Sequence, residues 1–232
     1  MGGISLQSFR NDSQPAVVGF LHRPATPNND GMVLTHGAGS DCNSALLVAC
    51  AKAFTGAGFT VLCCDLPFRQ SGKPPHFSAT SAARDREGLR NAAAELRKMV
   101  AGKVFLGGHS YGGRQSSMLA AAEPEVADGL LLLSYPLHPP RKPEQRRTEH
   151  LPNLQTAALF VHGTRDPFGS PEEMEQAVKL IPARTSVRFV EGAGHDLVSK
   201  RKAAAQGEPV AEQILEYFVE FFGAEPSSGA KS

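Results

Sequence analysis

Residues Val104–Gln115 read VFLGGHSYGGRQ, an apolar run that stops at paired glycines, presents one serine and continues into helix-forming residues. Gly108-His109-Ser110-Tyr111-Gly112 fits the pattern G-x-S-x-G, and a strand before it with a helix after it is the context that makes the pattern informative. A turn this sharp holds the serine in a strained backbone conformation, and side chains two positions away on either side would meet the neighbouring elements. Glycine at 108 and 112 removes those side chains. Ser110 then stands at a helix N-terminus, where backbone N–H groups and the helix dipole favour developing negative charge. The competing reading is a serine that merely caps an ordinary helix, so the rest of the chain has to decide.

Outward from this stretch the sequence alternates short apolar runs with helical ones. A first strand near Ile4–Phe9 and a second at Ala16–Leu21 precede GMVLTHG (Gly31–Gly37), a helix over Ser44–Ala57 and FTVLCCD (Phe59–Asp65). A helix over Ser81–Val100 leads into the strand of the opening stretch, and Tyr111–Ala122 is the helix behind it. Then follow GLLLLSYP (Gly129–Pro136), AALFVHG (Ala157–Gly163), a helix at Pro171–Leu180, SVRFVEG (Ser186–Gly192) and a closing helix at Val210–Phe222. The strands are continuous apolar runs rather than alternating ones, so both faces of the sheet should be covered by helices. Strand–helix alternation implies an α/β protein with a mostly parallel, doubly wound sheet of about seven to eight strands. Residues 1–223 are expected to form a single domain, and 224–232, small and polar, a disordered tail.

In such sheets ligands bind beyond the carboxyl ends of the strands. A serine, an aspartate and a histidine occur there in chain order: Ser110, Asp166 in VHGTRDPFG and His195 in EGAGHDL. A hydroxyl needs a base to take its proton and a third group to orient that base. Of the eight histidines, His195 follows the last strand in a glycine-rich loop, where a serine-first order requires the base. His22, His76, His138 and His150 fall at an early strand end or in loops, and His36 and His162 read as structural hydrogen-bonders. His109 adjoins the serine on a tight turn and should point elsewhere. Asp166 is the expected orienting acid. Asp128 precedes its strand, Asp196 is too close to His195 in sequence, and Asp65 is the runner-up, read otherwise as a loop-fixing carboxylate paired with Arg69. Backbone N–H donors for an oxyanion are expected from Tyr111 and from Ala38, with Gly39 as the adjacent candidate.

Composition narrows the alternatives. The 232-residue chain is 41% apolar and 20% charged, with 24 basic and 23 acidic residues giving a net charge of +1. Nothing there favours nucleic acid or an anionic membrane as partner, and the basic run PPRKPEQRR (Pro139–Arg147) reads as a solvated loop. No run approaches the ~18 apolar residues of a membrane span, and the first residues lack the charged and apolar regions of a signal peptide. Four cysteines (Cys42, Cys50, Cys63, Cys64) without C-x-x-C spacing read as buried thiols in a reducing compartment, so a cytoplasmic location is expected. Neither metal-ligand spacing nor a dinucleotide fingerprint is present, so no metal and no organic cofactor is expected. Nothing in the sequence sets the oligomeric state.

The motifs THGAGS, GGHSYGG, HGTRDPFG and EGAGHD, in this order and spacing, resemble the α/β-hydrolase superfamily over nearly the whole chain. The variety is similar to small bacterial dienelactone-hydrolase-like proteins, which are related to the hydrolase-like domain of a nonspecific-lethal chromatin-complex subunit. The resemblance implies Ser110 as nucleophile, His195 as base and Asp166 as acid. Dienelactone hydrolases carry a cysteine nucleophile where this chain has Ser110, so lactone specificity does not carry over. Lid domains of this fold commonly enter after the strand read as GLLLLSYP, and the short proline-rich connection here leaves no room for a large one. A serine hydrolase of small or short-chain carboxylic esters is expected, with Phe68, Arg69, Leu137, His138 and Phe168 as possible substrate-lining residues. Thioesterase or peptidase chemistry on the same triad, or a non-catalytic scaffold of this fold, are the alternatives.

Overall fold

Eight strands form one sheet in the order β1-β2-β4-β3-β5-β6-β7-β8 in the computed structural model, which describes residues 4–72, 78–198 and 208–223. β1 (Ser5–Arg10) and β2 (Val18–Arg23) pair antiparallel at one edge, and β2 pairs antiparallel with β4 (Thr60–Asp65). All remaining pairings are parallel: β3 (Gly31–Thr35), β4, β5 (Val104–His109), β6 (Gly129–Leu133), β7 (Ala158–Gly163) and β8 (Thr185–Val190). The expected sheet is therefore the observed one, with its antiparallel part confined to the first two strands. The expected tail at 224–232 and His76 lie outside the described residues.

The apolar runs are explained by burial on both faces. In β6, Leu130 and Leu132 pack on one side against α3 (Ala79–Arg97), α4 (Tyr111–Ala122) and α5 (Pro171–Val178), through Leu96, Leu119 and Met174. Leu131 and Leu133 pack on the other against α1 (Ala45–Gly56) and α6 (Glu208–Gly223), through Phe54, Ile214 and Phe218. Each such fully buried side chain contributes about 1.5–3 kcal/mol of transfer free energy. The rings of Phe54, Phe59, Phe105 and Phe218 meet edge to face with centroids 4.9–6.4 Å apart and fasten α6 to the sheet. Cys63 and Cys64 point to opposite faces, one in each of these layers, and all four cysteines are buried and free. Burial is weaker at the two edges of the sheet, where β1 is exposed and β8 half-buried.

The order of the strands positions the site. The chain passes from β3 to β4 on one side, then returns across β3 to place β5 on its other side. α1 leaves β3 for one face of the sheet and α4 leaves β5 for the other, so the crevice between the carboxyl ends of β3 and β5 opens at a topological switch point. Thr35, the last residue of β3, pairs with Gly108 two residues before Ser110. A short helix, α2 (Pro67–Gln70), follows β4, and the connection from β6 to β7, residues 134–157, contains only a single 3₁₀ turn at Leu151–Asn153. No large lid covers the crevice among the described residues.

Candidate active site

Ser110 occupies the turn between β5 and α4 with φ 51° and ψ −115°, a positive φ that non-glycine residues rarely adopt. Its side chain makes no capping hydrogen bond to α4, so the helix-cap reading does not describe it. The backbone is held by its neighbours, with the Ser110 N–H donating to Leu133 O at 2.8 Å. A Cβ at 108 would lie 2.6 Å from Gly113 N, and one at 112 would lie 2.6 Å from His36 O. The two glycines flanking the serine are therefore required by close backbone approach.

The side chain of Ser110 is directed instead at His195. Ser110 Oγ donates to His195 Nε2 at 2.8 Å, and His195 Nδ1 donates to Asp166 Oδ2 at 2.8 Å. The acceptor carboxylate fixes the imidazole as the Nδ1–H tautomer, which leaves the Nε2 lone pair facing the hydroxyl. Asp166 is 6% exposed, and its Oδ1 accepts the Phe168 N–H at 2.9 Å. The loops bearing Asp166 and His195 are tied together, since Arg165 N donates to Ala193 O at 2.9 Å and Gly192 N to Thr164 Oγ1 at 2.8 Å. Phe168 stacks on the His195 ring at 4.2 Å and an interplanar angle of 30°. His109 points away from the serine hydroxyl, and its Nε2 donates to the His195 carbonyl at 2.7 Å. Burial holds the His109 pKa below the usual value, so this histidine is a neutral prop beneath His195.

The other candidates are engaged elsewhere. His36 donates from Nδ1 to Gly37 O at 2.8 Å and accepts the Leu66 N–H at Nε2, 3.1 Å. With both nitrogens occupied and burial lowering its pKa, it is a neutral structural residue despite Asp65 Oδ1 lying 3.5 Å away. His162 donates to Gly169 O at 2.9 Å. Asp65 does fix a loop, accepting the Cys42 N–H at 2.8 Å, but its expected partner Arg69 turns away and donates to Ala38 O at 2.9 Å. That bond orients the peptide plane whose N–H belongs to Gly39, because C=O and N–H point in opposite directions across a trans peptide. Asp128 accepts the Val104 N–H at the start of β5, at the far edge from the crevice.

Ser110 and His195 open onto a cleft of about 580 Å³. Gly37, Ala38 and Gly39 form one wall, with Tyr111 beside them at the start of α4. Phe168 lines the cleft as expected, but four other expected wall residues do not. Leu137 is fully buried in the core. His138 is 5% exposed and faces α5, with Nε2 3.1 Å from Glu173 Oε2. Phe68 packs edge-on against the His36 and Tyr111 rings, and Arg69 is held by Ala38. Arg114, Pro136 and Arg147 line the cleft instead. Arg147 ends the basic run read as solvated, and it is half-buried while Arg141–Arg146 are exposed. Among the described residues no group of three or more His, Cys, Asp or Glu side chains is arranged to hold a metal ion, and no helix is long and apolar enough to cross a membrane.

A family model described as an alpha/beta hydrolase domain matches residues 28–223. The chain belongs to the alpha/beta-hydrolase family. Its fold is that of a dienelactone hydrolase from Anabaena variabilis, at TM-score 0.76 and 19% identity, covering 95% of this chain and 99% of that one. It is also similar in fold to an α/β serine hydrolase without lid from Xanthomonas campestris, at TM-score 0.74 and 15% identity, covering 96% and 97% of the two chains. Eighty-three residues are 36% identical to polyketide synthase ThaQ of Burkholderia thailandensis, a stretch that spans 4% of that protein. Family and fold support a hydrolase; the bond has to be argued from the site.

Proposed function

We propose that the chain is a serine esterase that cleaves small carboxylic esters through an acyl-enzyme on Ser110. The observation that carries this reading is the unbroken relay Ser110 Oγ–His195–Asp166, with both links at 2.8 Å, opening onto an accessible cleft. His195 Nε2 takes the hydroxyl proton as Ser110 attacks the ester carbonyl, and the buried Asp166 carboxylate stabilises the imidazolium that forms. The N–H groups of Tyr111 and Ala38, with Gly39 adjacent, receive the oxyanion. His195 then gives its proton to the leaving alcohol, and water activated by the same imidazole releases the acid. His109 and Phe168 act through His195, the first by holding its carbonyl and the second by fixing its ring plane.

Among the described residues no large lid covers the crevice, which supports short acyl chains, because an apolar cover would be needed to bury the methylenes of a long one, each worth about 0.8 kcal/mol when removed from water. Hydrolysis of 4-nitrophenyl esters from acetate to decanoate is therefore expected to be fastest for the shortest chains and to vanish in Ser110→Ala. A rate that climbs steadily to decanoate would reject the short-chain assignment. Failure of Ser110 to react with a fluorophosphonate would reject the serine esterase itself.

A further inference from the structure

The cleft holds a chemistry that the relay does not use. Arg114 lies four residues beyond Ser110, its N–H donating to Ser110 O at 3.0 Å, so its side chain leaves the same side of α4 one turn along. Arg147 comes from the connection between β6 and β7 and lines the same cleft. Its backbone is clamped twice, with its N–H donating to Leu137 O at 2.8 Å and its carbonyl accepting the Tyr135 hydroxyl at 2.7 Å. Tyr135 and Leu137 are both buried in the core, so the Arg147 guanidinium is carried on a rigid anchor.

Among the described residues neither guanidinium is paired with a carboxylate. Arg90, Arg97 and Arg188 are paired with Glu123, Asp128 and Glu220, whereas no carboxylate lies within ion-pair distance of Arg114 or Arg147 among the described residues. Arg114 Nε is buried without a hydrogen-bond partner. Among the described residues the Arg147 guanidinium makes a single long contact, 3.4 Å to Pro136 O. Burial first, and then the charge of Arg114, holds the Arg147 pKa below its usual value. Asp85 is occupied by the Tyr111 hydroxyl at 2.8 Å and the Phe68 N–H at 3.0 Å, and Glu149 is exposed to solvent. Two half-buried like charges are unfavourable unless something supplies the missing negative charge.

We infer that Arg114 and Arg147 form a subsite for a carboxylate on the acyl part of the substrate, so that monoesters of short dicarboxylic acids are the preferred class. The acyl side is chosen because the leaving oxygen has to face His195 Nε2, the ring on which Phe168 stacks. Arg114, Pro136 and Arg147 line the rest of the same cleft and are assigned to the acyl chain. Guanidinium groups suit this task, since they present paired N–H donors to the two oxygens of a carboxylate. The inference rests on the esterase reading and adds the substrate class to it.

The test compares kcat/KM for 4-nitrophenyl hydrogen succinate, glutarate and adipate with uncharged 4-nitrophenyl esters of matched chain length. The unmodified protein is expected to favour at least one hemiester by about tenfold or more, as charge-assisted hydrogen bonds allow, and the preference should shrink as salt is raised. In Arg147→Gln and Arg114→Gln, each checked for a cooperative melt, the ratio of charged to uncharged substrate should collapse toward one, while Arg147→Lys should keep part of it. Turnover of uncharged esters with no hemiester preference overturns the subsite and leaves the esterase standing. So does a preference that survives both glutamine variants. A Ser110 that does not react with a fluorophosphonate overturns both.

Discussion

Replacing Asp166 by asparagine reverses a tautomer, and the structure says which way. The Phe168 N–H donates to Oδ1 at 2.9 Å, so in Asp166→Asn the amide oxygen is held at that position and the amide nitrogen takes the place of Oδ2. The new N–H₂ group then faces His195 Nδ1 across 2.8 Å, where two donors cannot coexist. The imidazole responds by placing its proton on Nε2, which turns the group facing Ser110 Oγ from an acceptor into a donor. In the proposed mechanism this removes the general base while leaving volume and fold unchanged. Reversal of this kind costs about 10⁴-fold in kcat where such relays operate, equivalent to about 5.5 kcal/mol at about 1.36 kcal/mol per decade. The assay is 4-nitrophenyl acetate hydrolysis together with the rate of fluorophosphonate labelling, on protein whose melting curve matches the parent. A variant that keeps activity within about tenfold of the parent would refute the reasoning, because the acid would then be something other than Asp166.

Other outcomes follow from the same geometry. Gly112→Ala places a Cβ 2.6 Å from His36 O and 2.7 Å from Thr35 Cγ2, so stability should fall by about 1–3 kcal/mol and activity with it, read by thermal melts and by labelling. Phe168→Ala frees the ring face of His195, now stacked at 4.2 Å, and should lower kcat for 4-nitrophenyl acetate by roughly tenfold, within the range that mispositioning a catalytic group costs. His150 is held neutral mainly by burial and secondarily by Arg114, with its pKa lowered to about 4 from 6.5. A depressed histidine pKa contributes stability that is present above about pH 6.5 and is lost as pH falls through about 4, here at most on the order of 3 kcal/mol because the ring keeps some solvent contact. His150→Asn should therefore flatten the acid side of a plot of melting temperature against pH, and an unchanged slope would assign acid sensitivity to other groups.

The strands and helices were legible because both sheet faces are buried. Runs such as GLLLL in β6 have no choice but to be apolar throughout, and the residue that ends each run marks the functional edge. Ser110, Asp166 and His195, which the structure brings into contact, are proposed for that reason from chain order and strand-end position. The walls of the cleft were not legible in the same way. Leu137 and His138 follow β6 at the correct edge, but whether a loop side chain turns inward depends on long-range partners such as Glu173 on α5. Arg147 carried the opposite difficulty. Its neighbours Arg141–Arg146 are the solvated loop that their composition suggests, and only the clamps from Tyr135 and Leu137 fold the last arginine back over the site. The four-residue helix α2 is too short to show periodicity, and with it went the turn of Arg69 toward Ala38.

The claim on which the rest depends is that Ser110 becomes covalently acylated. Rapid mixing with 4-nitrophenyl acetate, acid quenching and mass analysis of the digested protein should find one acetyl group on the peptide that contains Ser110. The modification should be absent in Ser110→Ala and should form far more slowly in His195→Gln, which lacks the base that takes the hydroxyl proton. An acetyl group found elsewhere, or ester hydrolysis that persists in Ser110→Ala at the parent rate, would contradict the account.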